Sequence, residues 1–279
     1  NEVPGQTDGS GYLLINPRST DNWVTLSAVD GEDRLVVAGE SARSDVDWTV
    51  DTFVSRITLG TTPQIDTSFN TTGHRILAVG GSDDSWGTSL VLDGTRILVA
   101  SSIASVSGET AVTRLLSSGA LDTSFHADGN VLVSAGIYTD SYVRDIVKAA
   151  SGYYLVGGLN GRRAIVKMTD AGALDTTDAD FGVSGYWRSG FSNGSAFLRG
   201  LVHDGKLLAA GMSINSTGTA TETENDLEDA SFVISRFNLG GDSGTVVTET
   251  SSSSGGSADW WWLLVLGTLP AARRRMSSL

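Results

Sequence analysis

A phrase that occurs three times at one spacing limits what this chain can fold into more than its composition does. "IDTSFNTTG" from Ile65 returns as "LDTSFHADG" from Leu121 and, with three residues inserted, as "LDTTDADFGVSG" from Leu174, so that Phe69, Phe125 and Phe181 are spaced 56 residues apart. Two further phrases recur in a fixed order around it. One is an Asp-Gly or Ser-Gly turn followed by an apolar run: "DGEDRLVVAG" from Asp30, "DGTRILVAS" from Asp93, "SGYYLVGG" from Ser151 and "DGKLLAAG" from Asp204. The other is an alternating stretch with one basic residue: "FVSRI" from Phe53, "AVTRL" from Ala111, "AIVKM" from Ala164 and "FVISRF" from Phe232. Three phrases in constant order define a tandem array of four units.

Each unit reads as four short strands. In the second they are "HRILAVG" from His74, "WGTSLVL" from Trp86, "RILVAS" from Arg96 and "AVTRLL" from Ala111, the middle pair joined at Asp93-Gly94. Asp-Gly is a hairpin signal because tight two-residue turns need positive φ. Helical periodicity is nearly absent before residue 257. These features predict an all-β chain, a β-propeller of four-stranded antiparallel blades. The predicted boundaries are 12–73, 74–129, 130–185 and 186–239, then a Gly/Ser/Thr linker at 240–257 and an apolar C-terminal segment at 258–279.

The order of these phrases resembles the delta-60 repeat of bacterial surface and secreted proteins, over roughly Tyr12 to Leu239. The resemblance implies propeller-like blades and brings no catalytic residues. The fourth unit departs from it, since no LDTSF phrase follows "FVISRFNLGG".

Repetition itself separates structure from chemistry. Arg56, Arg114, Lys167 and Arg236 recur at one position, and Asp66, Asp122 and Asp175 at another. A group needed once for catalysis has no reason to appear in every blade, so these residues are expected to hold blades together, the Asp ordering its turn. Trp23, Trp86, Tyr142 and Phe197 recur in kind and are expected in the core. Binding residues are expected where the units differ, on loops carried by a rigid scaffold. That face bears Asp45, Asp47, Trp48, Asp83, Asp84, Tyr138, Asp140 and Phe191. Trp48, Asp83, Asp84, Tyr138 and Asp140 are the candidate binding residues, suited to a protein, saccharide or calcium-bridged partner.

No catalytic residue or metal ligand set is selected. His74, His126 and His203 fall on three different blade positions, and no nucleophile elbow, zinc or phosphate-loop motif is present. Asp175, Asp178 and Asp180 lack the glycine and terminal glutamate of an EF-hand loop. The chain is therefore read as a binding or structural module, not an enzyme, without a cofactor beyond Ca²⁺. The alternative is a secreted hydrolase on the variable loops, because the 32 acidic residues offer many carboxylate pairs. With no cysteine, disulfides and thiolate sites are excluded. Net charge is −13; residues 257–279 contribute +2 (Asp259 against Arg273, Arg274 and Arg275), leaving −15 on residues 1–256, which disfavours nucleic acid.

The C-terminal end "GGSADWWWLLVLGTLPAARRR" joins an apolar stretch to three arginines. From Ala258 to Ala272 it has fifteen residues, against the ~20 needed to span a bilayer. It resembles a GlyGly-CTERM sorting tail, with Gly255, Gly256 and Ser257 matching the motif and Arg273, Arg274 and Arg275 the basic end. That resemblance implies a rhombosortase-type protease and the type II secretion machinery as partners. It also implies transient association with the inner membrane, then release outside the cell or onto its surface. Asp259 and the extra "MSSL" after the arginines depart from the pattern.

Overall fold

The computed structural model describes residues 13–44, 49–105, 108–133, 141–177, 185–189, 195–214, 230–238 and 247–251. Every regular element among them is a strand, as the alternating phrases require. The first sheet is formed by β1 (Asn22–Val29), β2 (Arg34–Ala42) and β3 (Val50–Thr58), with β4 (Gln64–Ile65) and β5 (His74–Leu77) both pairing with β3. The second runs β6 (Ser85–Asp93), β7 (Arg96–Ile103), β8 (Glu109–Leu115) and β9 (Asn130–Val133). The third comprises β10 (Ser141–Lys148), β11 (Tyr153–Leu159), β12 (Arg162–Met168) and β13 (Tyr186–Arg188). The fourth is β14 (Ala196–His203), β15 (Lys206–Ile214), β16 (Ala230–Asn238) and β17 (Val247–Ser251). All pairings are antiparallel.

The sheets group the strands one step later than the sequence units do. "HRIL" begins the second unit in sequence but pairs as β5 with β3, closing the first sheet. β9 and β13 likewise close the second and third. The chain thus hands over between sheets in mid-repeat.

The sheets pack in series. β6 lies against β1, β2 and β3; β10 against β6, β7 and β8; β14 against β10, β11 and β12. Each boundary has its own apolar cluster. Val36, Ala38, Val54, Phe69 and Leu77 of the first sheet meet Ile97, Val99 and Leu115 of the second. Leu98, Ala100, Val112 and Phe125 meet Val143, Ile146, Tyr153 and Leu155 at the next boundary. Val147, Tyr154, Val156 and Ile165 meet Phe197, Leu207, Ala209 and Phe237 at the third. Ahead of the series, Leu13 and Ile15 pack on Val37, Phe53 and Ile57.

The repeated charged residues form a clasp at the first two boundaries and an ion pair at the matching place in the third sheet. β3 changes partner at Arg56, whose N–H donates to Gly73 O and whose carbonyl accepts from Asp66 N–H. Its guanidinium donates through Nε to Asp66 Oδ2 at 2.7 Å and through Nη2 to Ser68 Oγ at 3.1 Å, and stacks 5.0 Å from the Phe69 ring centre. Nη1 crosses to Ser117 O in the following sheet. The second clasp repeats the first: Arg114 Nε to Asp122 Oδ2 at 2.8 Å, Nη2 to Ser124 Oγ at 3.0 Å, the Phe125 ring at 4.6 Å, and Nη1 crossing to Asp170 O. In the third, Lys167 Nζ lies 3.2 Å from Asp175 Oδ2; Phe181 lies outside the described residues.

Two glycines make room for the clasp. Gly119 and Gly172 sit at φ +81° and +80°, where a Cβ would be strained and would also come within 3.0 and 2.9 Å of the Phe69 and Phe125 rings.

Burial raises the Asp66 and Asp122 carboxyls, but hydrogen bonds from Ser68 and Ser124 and from the paired arginines outweigh it and hold both below the usual range. The folded pKa is depressed, so the clasp stabilises the protein fully above the unfolded carboxyl pKa of ~3.9 and loses that contribution as pH falls through the folded value. Arg114 and Asp122 side chains are 2% and 6% exposed. Removing one partner leaves a buried charge, at a cost of roughly 3–5 kcal/mol. Arg114→Ala is expected to lower stability by that amount in urea titrations at neutral pH. Asp122→Asn should flatten the acid limb of stability below about pH 4; an Arg114→Ala loss under about 1 kcal/mol would contradict the assignment.

Candidate functional site

Asp83 and Asp84 are the two sequence-selected binding residues within the described part of the chain. Trp48, Tyr138 and Asp140 lie outside it, as do Asp45, Asp47, Phe191 and the tail residues Gly255, Gly256, Ser257, Arg273, Arg274 and Arg275. Asp84 Oδ1 accepts the Val50 N–H at 2.8 Å, which ties the start of β6 to β3. Arg43, paired with Asp51 at 2.9 Å, donates to the Ser82 and Asp83 carbonyls. The Asp83 side chain is exposed. Asp84 is thus committed to joining two sheets.

The aromatic residues at the start of the first strands are a correction. Trp23 and Trp86, expected in the core, are 43% and 38% exposed, and only Phe197 is fully buried. Register explains the difference. Every first strand carries a bulge, between Val24/Leu26, Gly87/Ser89, Val143/Asp145 and Phe197/Arg199. Counted from the bulge, Trp23, Trp86 and Tyr142 align with Ala196, and Phe197 falls one place later on the opposite face. Side-chain period alone could not reveal this, because the extra residue rephases the strand.

These aromatic positions head lateral columns whose composition changes from sheet to sheet. In the first sheet the column is Trp23, Glu40 and Thr52; in the second Trp86, Ser102 and Thr110; in the third Tyr142, Gly158 and Arg163. Thr52 N–H donates to Ser85 Oγ at 3.1 Å, and Thr110 Oγ1 accepts from Val143 N–H at 3.2 Å, so the two threonines serve the boundary. Arg163, at the same place in the third sheet, is 3% exposed, and its Nε and Nη1 find no hydrogen-bond partner among the described residues. It lies 5.6 Å from the Phe197 ring centre, and burial pulls its pKa down.

Two acids among these strands hold their protons more tightly than ordinary carboxyls. Burial pushes Glu40 up, against hydrogen bonds from Thr25 Oγ1 (3.5 Å) and the Gly87 N–H. Burial also pushes Asp145 up, against the Gly200 N–H at 2.9 Å, the charge of Arg199 and Ser89 Oγ at 3.2 Å. Ser89 Oγ in turn accepts from Ile146 N–H at 3.0 Å. Glu40 therefore meets β6 at Gly87 and Asp145 meets it at Ser89, on the two sides of its bulge. Both acids interrupt the repeat: Ser102 and Gly158 stand where the first sheet has Glu40, and Leu26, Ser89 and Arg199 where the third has Asp145. Aligning the bulges, rather than the phrases, is the sequence signal that would have found them.

A groove of about 590 Å³ between β5 and β9 is lined by Arg75, Leu77, His126, Asp128, Asn130 and Leu132 among others. Its polar residues serve their own turn: His126 Nδ1 meets Asn130 O at 2.9 Å, and Asp128 Oδ1 accepts from Asn130 N–H. Among the described residues, no group of three or more metal-ligating side chains occurs, and no helix is long and apolar enough to cross a membrane.

No family model matches the chain, and no curated protein does. Among solved structures it is similar to a mutant GH32 beta-fructofuranosidase of Bombyx mori in complex with sucrose, at 12% identity and a TM-score of 0.41, covering 79% of this chain and 49% of that one. It is also similar to a protein described as a glycoside hydrolase, at 10% identity and a TM-score of 0.38, covering 83% and 49%. The chain thus spans about half the length of the structures it matches. Both are hydrolases, and the expectation that this chain is not an enzyme is withdrawn against that finding.

The exposure of Trp86 sets a testable contrast with Phe125, which is 0% exposed. Phe125→Ala should cost roughly 3–5 kcal/mol in chemical denaturation, and Trp86→Ala no more than about 1–2 kcal/mol. Equal losses would put Trp86 back in the core.

Proposed function

We propose that the four sheets are blades of a β-propeller and that the row of first strands carries a saccharide-directed acid–base site, making the chain a glycoside hydrolase. The observation that carries this reading is the company of exposed indoles and proton-holding acids on adjoining strands. Trp23 stands directly across from Glu40, Trp86 heads the neighbouring column on β6, and Asp145 follows Tyr142 on β10. Indole faces stack on the apolar faces of sugar rings, while paired carboxyls are the usual means of cleaving a glycosidic bond. Asp145, protonated at higher pH than an ordinary carboxyl, is assigned as the acid that protonates the leaving oxygen. Glu40 is assigned to the water or sugar on the far side of the β6 bulge. The repeated clasps supply the rigid frame on which these groups differ.

Export belongs to the same reading and rests on sequence alone. A tail with Gly255-Gly256-Ser257, a short apolar stretch and Arg273–Arg275 suits a segment held briefly in the inner membrane and removed, since a fifteen-residue span with an acid at its entry is a weak anchor. The mature protein then ends near Gly256. Mass spectrometry of the C-terminal peptide of the extracellular protein is expected to find no Trp260–Trp262; an intact Arg273–Leu279 end there would refute processing.

Hydrolysis is tested by initial rates on fructoside, glucoside and polysaccharide panels. Asp145→Asn and Glu40→Gln should each lower kcat by roughly 10²–10⁴-fold at near-native melting temperature. Activity in the parent should fall as pH rises through the raised Asp145 pKa, because the acid must be protonated. An inactive parent, or two fully active variants, would dispose of the assignment.

A further inference from the structure

The place just after the bulge in each first strand is filled by a different chemistry in every sheet. Leu26, Ser89, Asp145 and Arg199 hold it in turn, opposite Ala38, Ala100, Val156 and Ala210. The partners are all apolar, so the registers are equivalent and the variation is confined to one side chain per sheet.

At two successive boundaries that side chain has the same structural task. Ser89 Oγ accepts the Ile146 N–H of the third sheet at 3.0 Å, and Asp145 Oδ2 accepts the Gly200 N–H of the fourth at 2.9 Å. Ile146 and Gly200 are themselves equivalent, each following its own post-bulge residue. A hydroxyl is therefore enough to hold an arriving strand, and the boundary does not need the charge a carboxyl brings. In the first sheet Leu26 packs there instead, its Cδ1 3.3 Å from where a Cβ on Gly87 would stand.

Three of the four chemistries meet at Asp145. Ser89 Oγ donates to its Oδ1 at 3.2 Å, the Gly200 N–H donates to Oδ2, and the Arg199 charge acts on the same carboxyl. Arg199 is tethered through Nη1 to the carbonyls of Arg144 at 3.1 Å and Leu198 at 3.0 Å. On the strand of Asp145 itself, the Arg144 guanidinium lies 5.1 Å from the Tyr142 ring centre; Glu40 stands across the β6 bulge, and the neighbour on β11 is the buried Val156. Burial and these donors act at opposite ends of a proton transfer. Burial disfavours charge and keeps the proton on Asp145 beforehand, whereas the hydroxyl, the amide and the guanidinium favour the carboxylate and so act as the proton leaves.

We propose, resting on the glycoside-hydrolase reading above, that Ser89 and Arg199 are positioning residues for Asp145, fixing its carboxyl between three first strands and stabilising the charge it acquires on protonating the leaving group. In that step the Asp145 O–H bond breaks and its electron pair stays on the carboxylate. The proton joins the glycosidic oxygen, which takes the pair of the breaking C–O bond, and the sugar carbon is completed by Glu40 or by the water it activates.

A carbon-13 titration of the Asp145 carboxyl in the full chain, its signal assigned by loss in Asp145→Asn, tests the positioning without substrate. Ser89→Ala and Arg199→Gln are each expected to raise its midpoint by roughly one pH unit, and Ser89→Thr to restore it. On a substrate the parent cleaves, both variants should lower kcat roughly tenfold, leave KM within about twofold, and carry the reduced rate to higher pH. A merely loosened fold would not extend activity upward in pH. Asp145→Ser, which keeps an acceptor for the Gly200 N–H as Ser89 does for Ile146, should hold the parent's melting temperature and lose the rate. A midpoint unmoved in both Ser89→Ala and Arg199→Gln overturns the positioning whatever the parent cleaves, and an Asp145→Ser variant that fails to fold overturns the argument that the charge is there for chemistry. A moved midpoint in a parent that cleaves nothing would keep the positioning and remove the hydrolase reading.

Discussion

A buried guanidinium that binds its own sheet and the next one at once is the interaction on which the rest of this structure depends. Arg56 and Arg114 sit where the third strand changes partner, and each satisfies a carboxylate, a hydroxyl, an aromatic face and a carbonyl of the following sheet. A buried charge is tolerable only when its donors are used. The Asp, the Ser two residues later and the Phe one further on are consequently fixed as a set, and the glycine of the neighbouring turn is fixed by the Phe that packs on it. Two of the three phrases, the basic strand and the Asp-Thr-Ser-Phe turn, repeat together because one side chain ties them.

That economy leaves chemistry to positions the clasp does not touch. The lateral columns headed by Trp23, Trp86 and Tyr142 face the same boundaries yet carry Glu40, Ser102 and Gly158, then Thr52, Thr110 and Arg163. Glu40 and Asp145 are retained with raised proton affinity, and two nitrogens of the buried Arg163 find no partner among the described residues. Each of these costs stability, and a frame clasped at its first two boundaries can bear such costs.

Much of the fold was legible in the chain and little of the site. The repeated phrases located the strands, the Asp-Gly and Ser-Gly hairpins and the structural part played by Arg56, Arg114, Asp66 and Asp122. Sheet membership was less legible: "HRIL" starts a unit in sequence and closes the preceding sheet in space, because pairing follows the edge left free on β3. Of the face chosen for its acids and aromatics, Asp84 is spent on the Val50 amide. Trp23 and Trp86 were assigned to the core because they recur in kind, but recurrence of type reports burial only when register is known.

What the sequence determined by itself is the all-β class, the four-unit array, the tie within each unit and the acidic charge of the body. These follow from short-range chemistry, turn residues, alternation and one ion pair about ten residues apart, and short-range chemistry is written in order along the chain. The tertiary structure decided which residues meet across boundaries. It brought Glu40 and Asp145 to opposite sides of one bulge, placed Arg163 where the first two sheets use threonine, and left Ile234 41% exposed. The meeting of the two acids depends on a bulge that shifts each first strand by one residue, and no local stretch encodes that shift.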